Sequence, residues 1–160
     1  MPGAAESKTK RLLQNVGSAS VLRNDAVIIF ALMQKTFLSL GAILAGLGVI
    51  LGAFGAHKLK TLVGPDVVST YQTGVQYQMY HAFALIITGI LWERMPSGAL
   101  NTAGWCFLTG IVLFSGSLYL LASLKAMDKV GLSGIGIITP IGGLFFIAGW
   151  IALLAGMLRR

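Results

Sequence analysis

The chain has 160 residues, of which 56% are hydrophobic and only 11% charged, with a formal net charge of +7. A soluble domain carries about 25% charged residues, so an ordinary soluble enzyme or binding domain is excluded. The basic excess is dispersed and forms no recognition face, which points to anionic lipid headgroups rather than nucleic acid.

Residues 1–32 stand apart. Lys8, Lys10, Arg11 and Arg23 are spread among small and polar residues. The apolar stretch from Ala26 to Leu32 is too short to cross a bilayer. It abuts Gln34 and Lys35 rather than a small-residue cleavage site, so a signal peptide fits poorly. Met33-Gln-Lys-Thr-Phe37 has the form of a normal start for a membrane protein whose first span follows at once. Two readings stay open: a disordered upstream extension before a start at Met33, or a basic arm lying on the membrane surface. Either way the chain divides into an extension, 1–32, and a membrane domain, 33–160.

Four apolar runs follow, at residues 36–56, 77–92, 102–124 and 135–157, none with a Lys, Arg, Asp or Glu. A helix needs about 20 apolar residues to cross the hydrocarbon core. The second run reaches that length only if its polar lead-in from Tyr71 also enters, giving a span of 71–92. Lipid cannot satisfy backbone groups, so each span is expected to be helical. The fold class is therefore all-α: an integral membrane four-helix bundle with a short, disordered amino-terminal extension.

Four spans put both termini on one side. Lys8, Lys10, Arg11, Arg23, Lys35, Arg94, Arg159 and Arg160 lie there, against Lys58, Lys60, Lys125 and Lys129 opposite. The balance favours cytoplasmic termini in a bacterial inner membrane, and becomes even without the residues before Met33. Trp92, Trp105 and Trp150 fall toward the terminal side, and Tyr71, Tyr77, Tyr80 and Tyr119 toward the other, as headgroup-level aromatics do.

The first span carries Gly41, Gly48 and Gly55 at seven-residue intervals, with Gly52 one turn from Gly48. The fourth carries Gly142, Gly149 and Gly156. Small residues so spaced let backbones approach. The spacing predicts that these two spans pack on each other, with oligomerisation through one glycine face as the alternative. Pro140 either kinks the fourth helix or marks its start after an irregular approach over 131–136.

The most unusual stretch runs from Tyr71 to His81. Gly64-Pro65-Asp66 precedes it, with Asp66 as a good helix starter. At helical spacing Gly74, Tyr77, Gln78, His81 and Thr88 share one stripe; Gln72, Gln76 and Tyr80 form a second. Polar groups at membrane depth must face protein or water, and Ser115, Ser117 and Thr139 are candidates to lie opposite. The bland reading is interhelical hydrogen bonding; the sharper one is a binding site or polar pathway. The candidate polar cluster is His57, Gln72, Tyr77, Gln78, His81, Ser115 and Ser117.

His57 and His81 could in principle hold haem, but the spans carry too few ligands for a metal site. No metal or other cofactor is expected, and His57 suits the carboxyl end of the first helix. The single cysteine, Cys106, rules out an internal disulfide and reads as a small hydrophobe. No span contains a carboxylate, and no Ser-His-Asp or Cys-His arrangement occurs. No catalytic residue is assigned, and the chain is expected not to be an enzyme.

Leu51-Gly-Ala-Phe-Gly-Ala-His57, Gln72-Thr-Gly-x-x-Tyr-Gln78, His81, Leu113-Phe-Ser-Gly-Ser-Leu-Tyr119, Thr139-Pro-Ile-Gly-Gly143 and Ala148-Gly-Trp150 occur in that order. The set resembles the domain-of-unknown-function 423 family of small bacterial membrane proteins, related to eukaryotic transmembrane protein 256, over about residues 33–160. The resemblance implies a multi-pass inner or plasma membrane protein and supplies no activity. It draws attention to the same polar residues. The leading expectation is a structural or accessory subunit whose partners are the bilayer and another membrane protein or a second copy. The alternative is a small-solute or ion conduit through Tyr77, Gln78 and His81; a haem or lipid-modifying redox protein comes third.

Overall fold

The computed structural model describes the backbone of residues 3–127 and 135–158. The side chains of Lys8, Lys10, Arg11 and Arg23, and all of Lys129, Arg159, Arg160 and residues 131–134, lie outside the described residues. So the charge balance behind the orientation is a matter of sequence alone, and of the approach to the fourth span only Ile135 and Gly136 are described, both of them helical rather than irregular.

The chain divides into two compact units, Met1–Met33 and Gln34–Arg160. The first is assigned as helix from Gly3. The second holds the bundle. Helix α1 is assigned over Gly3–His57 and is followed by a single 3-10 turn, Leu59–Thr61. Helix α2 covers Pro65–Arg94. Helix α3 covers Gly98–Ala126, with a π-helical stretch at Ile111–Ser115. Helix α4 covers Ile135–Leu158.

The helix starts have local causes. Gly64 caps α2 in an extended conformation, with Pro65 at the first helical position and Asp66 in the first turn. Asp66 is thus inside the helix rather than at its cap, placed where a carboxylate meets the positive end of the helix dipole. Ser97 caps α3, its hydroxyl accepting from the Leu100 amide at 3.3 Å. Pro140 sits inside α4, so the helix begins before it rather than at it.

Three segments, Ala31–Thr61, Gly98–Ala126 and Gly136–Leu158, are long and apolar enough to cross a membrane. Helix α2 is less apolar, but it runs antiparallel beside α1. The contact between Phe37 and Trp92 marks one end, and Gly55 against Tyr71 the other. That pairing extends for about 27 Å at 1.5 Å per residue. Wherever α1 crosses, α2 covers the same depth.

The glycines set this register. On α1, Gly41 lies against Ile86 and the Ala82 carbonyl, Gly48 against Met79, and Gly55 against Tyr71 and Gln72. On α4, Gly142 lies against the Phe114 backbone, Gly149 against Phe107 and Gly156 against Leu100. Each set steps seven residues on both partners, the spacing that keeps one seam facing a neighbour. The expected pairing of α1 with α4 is therefore corrected: the glycine face of α1 packs on α2, and that of α4 packs on α3. Short connections make sequence neighbours antiparallel partners, and each hairpin closes on its own glycine seam.

The exterior is oily. Ile43, Val49, Ile50, Ile87, Ile90, Val112, Ile137, Leu144, Ile151 and Leu154 are all exposed. Such a surface would aggregate in water and suits lipid. Inside, Phe37, Leu85, Leu100 and Phe107 are fully buried.

The glycines divide into tight and open sites. A methyl group at Gly142 would strike the backbone nitrogen of Phe114, whereas at Gly46 it would meet nothing within 4 Å. Gly142→Ala should lower stability in detergent by about 1–3 kcal/mol, the usual range for overpacking. Gly46→Ala should leave the thermal midpoint unchanged or raise it. Equal midpoints for the two variants would refute the seam.

Candidate functional site: a histidine-floored groove between α2 and α4

The polar residues predicted as one cluster divide into separate networks. Gln78 is 3% exposed. Its amide donates to the Leu44 carbonyl on α1 at 2.8 Å, and its oxygen accepts from the Tyr119 hydroxyl on α3 at 2.9 Å. One side chain thus ties three helices. Tyr71 adds a second tie, its hydroxyl donating to the Leu51 carbonyl at 3.2 Å.

Both accepting carbonyls share a device. Leu44 and Leu51 lie four residues before Gly48 and Gly55. Helical side chains lean back over the preceding turn, so a glycine four residues on leaves a carbonyl uncovered. Gln78 and Tyr71 reach through those two gaps.

His81, 4% exposed, turns the other way, toward α4. Its Nε2 lies 3.2 Å from the Trp150 indole nitrogen, and its Nδ1 lies 2.7 Å from the Tyr77 carbonyl. Indole N–H is a donor only and a carbonyl an acceptor only. Nε2 must therefore be unprotonated and Nδ1 must carry the hydrogen, which makes His81 neutral. The ring lies flat on Phe146, with centroids 3.4 Å apart and planes 8° apart. Phe107 stands 5.7 Å away.

Tyr77, 38% exposed, stacks on Phe114 at 4.6 Å. Tyr77, Tyr80, His81 and Phe83 of α2, Phe114 of α3, and Pro140, Gly143, Leu144, Phe146, Ile147 and Trp150 of α4 line a groove of about 750 Å³. Leu144, Ile147, Tyr80 and Phe83 are themselves exposed, so it opens on the outer face of the bundle. It lies near mid-depth, because Gln78, one turn from His81, bonds the middle of the apolar run of α1.

The remaining predicted residues lie apart. Ser117 donates to the Phe114 carbonyl at 2.9 Å, and its oxygen is 2.6 Å from the Thr139 hydroxyl. A hydroxyl has one hydrogen, so Thr139 is the donor in that pair, which ties α3 to α4. Ser117 and Thr139 thus pair with each other rather than with the stripe on α2. Ser115 is fully buried in the π-helical stretch, and its hydroxyl oxygen has no hydrogen-bond partner. Gln72 lies against Gly55. Gln76 donates to the Tyr80 hydroxyl at 2.6 Å. His57 is exposed at the end of α1. By the glycine register it sits roughly eleven residues, about 16 Å, along the pair from His81. The two histidines cannot share a ligand, and the lone pair of His81 is already occupied. No group of three metal-binding side chains occurs among the described residues.

Sequence reasoning missed Trp150, which it took for a headgroup-level anchor. It lies within one turn of the midpoint of Gly136–Leu158. A histidine at mid-depth needs a donor or acceptor from a facing helix; a mid-span tryptophan was the available signal.

Residues 51–143 match the family described as "Protein of unknown function (DUF423)". The UPF0382 membrane protein YwdK of Bacillus subtilis is 44% identical over 127 residues, which is 79% of this chain and 98% of that protein. A UPF0382 membrane protein of Staphylococcus haemolyticus is 44% identical over 121 residues, 76% of this chain and 93% of its own. The chain belongs to the DUF423 family. It is a membrane protein, as its relatives are named. No solved structure matches it. The DUF423 match takes in Gln78, His81, Ser117, Tyr119 and Thr139; Phe146 and Trp150 lie beyond it.

The assigned tautomer can be read directly. In ¹⁵N spectra of labelled protein near neutral pH, His81 should show a protonated Nδ1 and a bare Nε2. Trp150→Phe should shift the Nε2 resonance and lower stability by about 0.5–1.5 kcal/mol, the net worth of one neutral hydrogen bond. A protonated Nε2 in the parent protein would rule the arrangement out.

Proposed function

We propose that this chain is a non-catalytic accessory protein of the bacterial plasma membrane, which acts by binding to another membrane protein. The observation that carries the reading is where its polar side chains go. Gln78, Tyr71, His81, Ser117 and Thr139 all serve bonds that hold one helix to another or complete a helix turn. Catalysis needs a group free to meet a substrate, and a conduit needs a continuous polar lining. The split between Gln78, which faces α1 and α3, and His81, which faces α4, speaks against a pathway through Tyr77, Gln78 and His81.

Helix α1 supports the docking half of the reading. It shows Ala42, Gly46, Val49 and Ala53 outward, a face on which another helix can come close. The charge bias of the sequence supports a topology with both termini in the cytoplasm.

Purification in mild detergent of the chain tagged at native level should retain a second membrane protein. Gly46→Ile should reduce that recovery severalfold, with little loss of stability, because a Cβ added there meets nothing within 4 Å. Recovery of a lone monomer from the parent strain would defeat the reading.

A further inference from the structure

The groove between α2 and α4 is not explained by docking through α1. Three observations restrict what can fill it. First, no charged side chain lines it, and it lies near mid-depth, where a charged ligand is costly. The occupant is neutral and arrives through the bilayer.

Second, three pairs of its rings are stacked close to parallel, while Tyr80 and Trp150 stand at 56° and 61° to Tyr77 and His81. His81 and Phe146 are 8° apart, Tyr77 and His81 21°, and Tyr77 and Phe114 28°. Offset stacking on such faces favours a flat conjugated ring over a flexible acyl chain.

Third, it has a donor. Tyr80 lines the groove, and its hydroxyl accepts from Gln76 at 2.6 Å. Gln76 thus fills an acceptor position, and the hydroxyl's own hydrogen remains for another partner. His81 offers neither ring nitrogen, since both are engaged.

We propose that this groove binds a neutral lipid whose head is a flat ring bearing carbonyl oxygens, of the isoprenoid-quinone class. The ring lies against Tyr77 and accepts from Tyr80, and the tail runs out past Leu144 and Ile147 into the bilayer. A volume of about 750 Å³ is within the range of small-molecule sites. The proposal concerns binding alone, with no electron transfer. It does not depend on the accessory role: failure to recover a partner protein leaves it intact, and failure to bind a quinone leaves the accessory role intact.

The test uses the full chain in phosphatidylcholine nanodiscs, titrated with decylubiquinone. Tryptophan emission is the readout, since Trp150 forms part of the wall. Quenching should saturate. Tyr80→Phe keeps the ring and should weaken binding about three- to tenfold, the loss of one neutral hydrogen bond.

Gly143→Leu should weaken binding at least tenfold. Gly143 lines the groove, and a Cβ there meets only the Phe114 ring at 3.9 Å. The Cβ of the new side chain thus enters without a clash, and the rest of it should extend into the groove. Gly46→Leu, on the outer face of α1, should bind as the parent does. Dioctanoylglycerol, a neutral lipid with carbonyls but no ring, should fail to compete.

Three results would overturn the proposal. One is quenching that rises without saturating, or equally in the parent and Gly143→Leu, the mark of simple partition into lipid. Another is loss of the saturable quenching when dioctanoylglycerol is added in excess. The third is unchanged affinity in Tyr80→Phe. Should Gly143→Leu not fold, Tyr80→Phe and the competition decide the matter.

Discussion

An uncovered carbonyl on α1 is the feature on which the bundle turns. In lipid, helices gain little from hydrophobic association, so close packing and interhelical hydrogen bonds must hold them. A helix carbonyl is already bonded within its own helix and is screened by the side chain one turn on. Removing that side chain, as Gly48 and Gly55 do, lets Gln78 reach Leu44 and Tyr71 reach Leu51. The glycines thus act twice: they bring α2 close, and they expose the atoms to which it bonds. Gln78 then passes the tie to α3 through Tyr119.

Helices α3 and α4 solve the same problem differently. Their seam also steps by seven residues, through Gly142, Gly149 and Gly156, but it meets Phe114, Phe107 and Leu100. Large apolar side chains fill the gaps, and the polar tie between Ser117 and Thr139 stands at one end. Gly142 approaches the Phe114 backbone within the π-helical stretch. One extra residue in that turn swings Phe114 toward the groove, where it supports Tyr77. Such stretches often mark functional sites, and here the irregular turn builds a wall of the groove.

The helices and their approximate limits are legible because a charge-free run of twenty residues has few alternatives. The start of α2 is harder. Its first turns, from Pro65, are too polar to register as a span, yet Gly64 and Pro65 fix the helix there. The seven-residue glycine spacing is also visible, but spacing gives a face and not its partner. What selects α2 for α1 is the short connection between them, a signal the glycine pattern does not carry. The Gln78 tie is illegible for another reason: its acceptor is a backbone atom, identical in every residue, and only Gly48 one turn on betrays it. The π-helical stretch leaves no trace, because an apolar run reads the same with one residue more or less in a turn.

The pairing of His81 with Trp150 decides how the groove can act. A histidine at mid-depth invites comparison with proton relays and haem ligands. Either role needs a nitrogen with a free lone pair or an exchangeable proton facing an open space. Here Nε2 receives the indole hydrogen and Nδ1 gives its own to the Tyr77 carbonyl. Protonating Nε2 would set two N–H groups against each other and expel Trp150 from the wall. The neutral ring is instead held flat on Phe146, as one plate of an aromatic surface rather than as a reagent. The chemistry available to the groove is therefore that of its faces and of the Tyr80 hydroxyl.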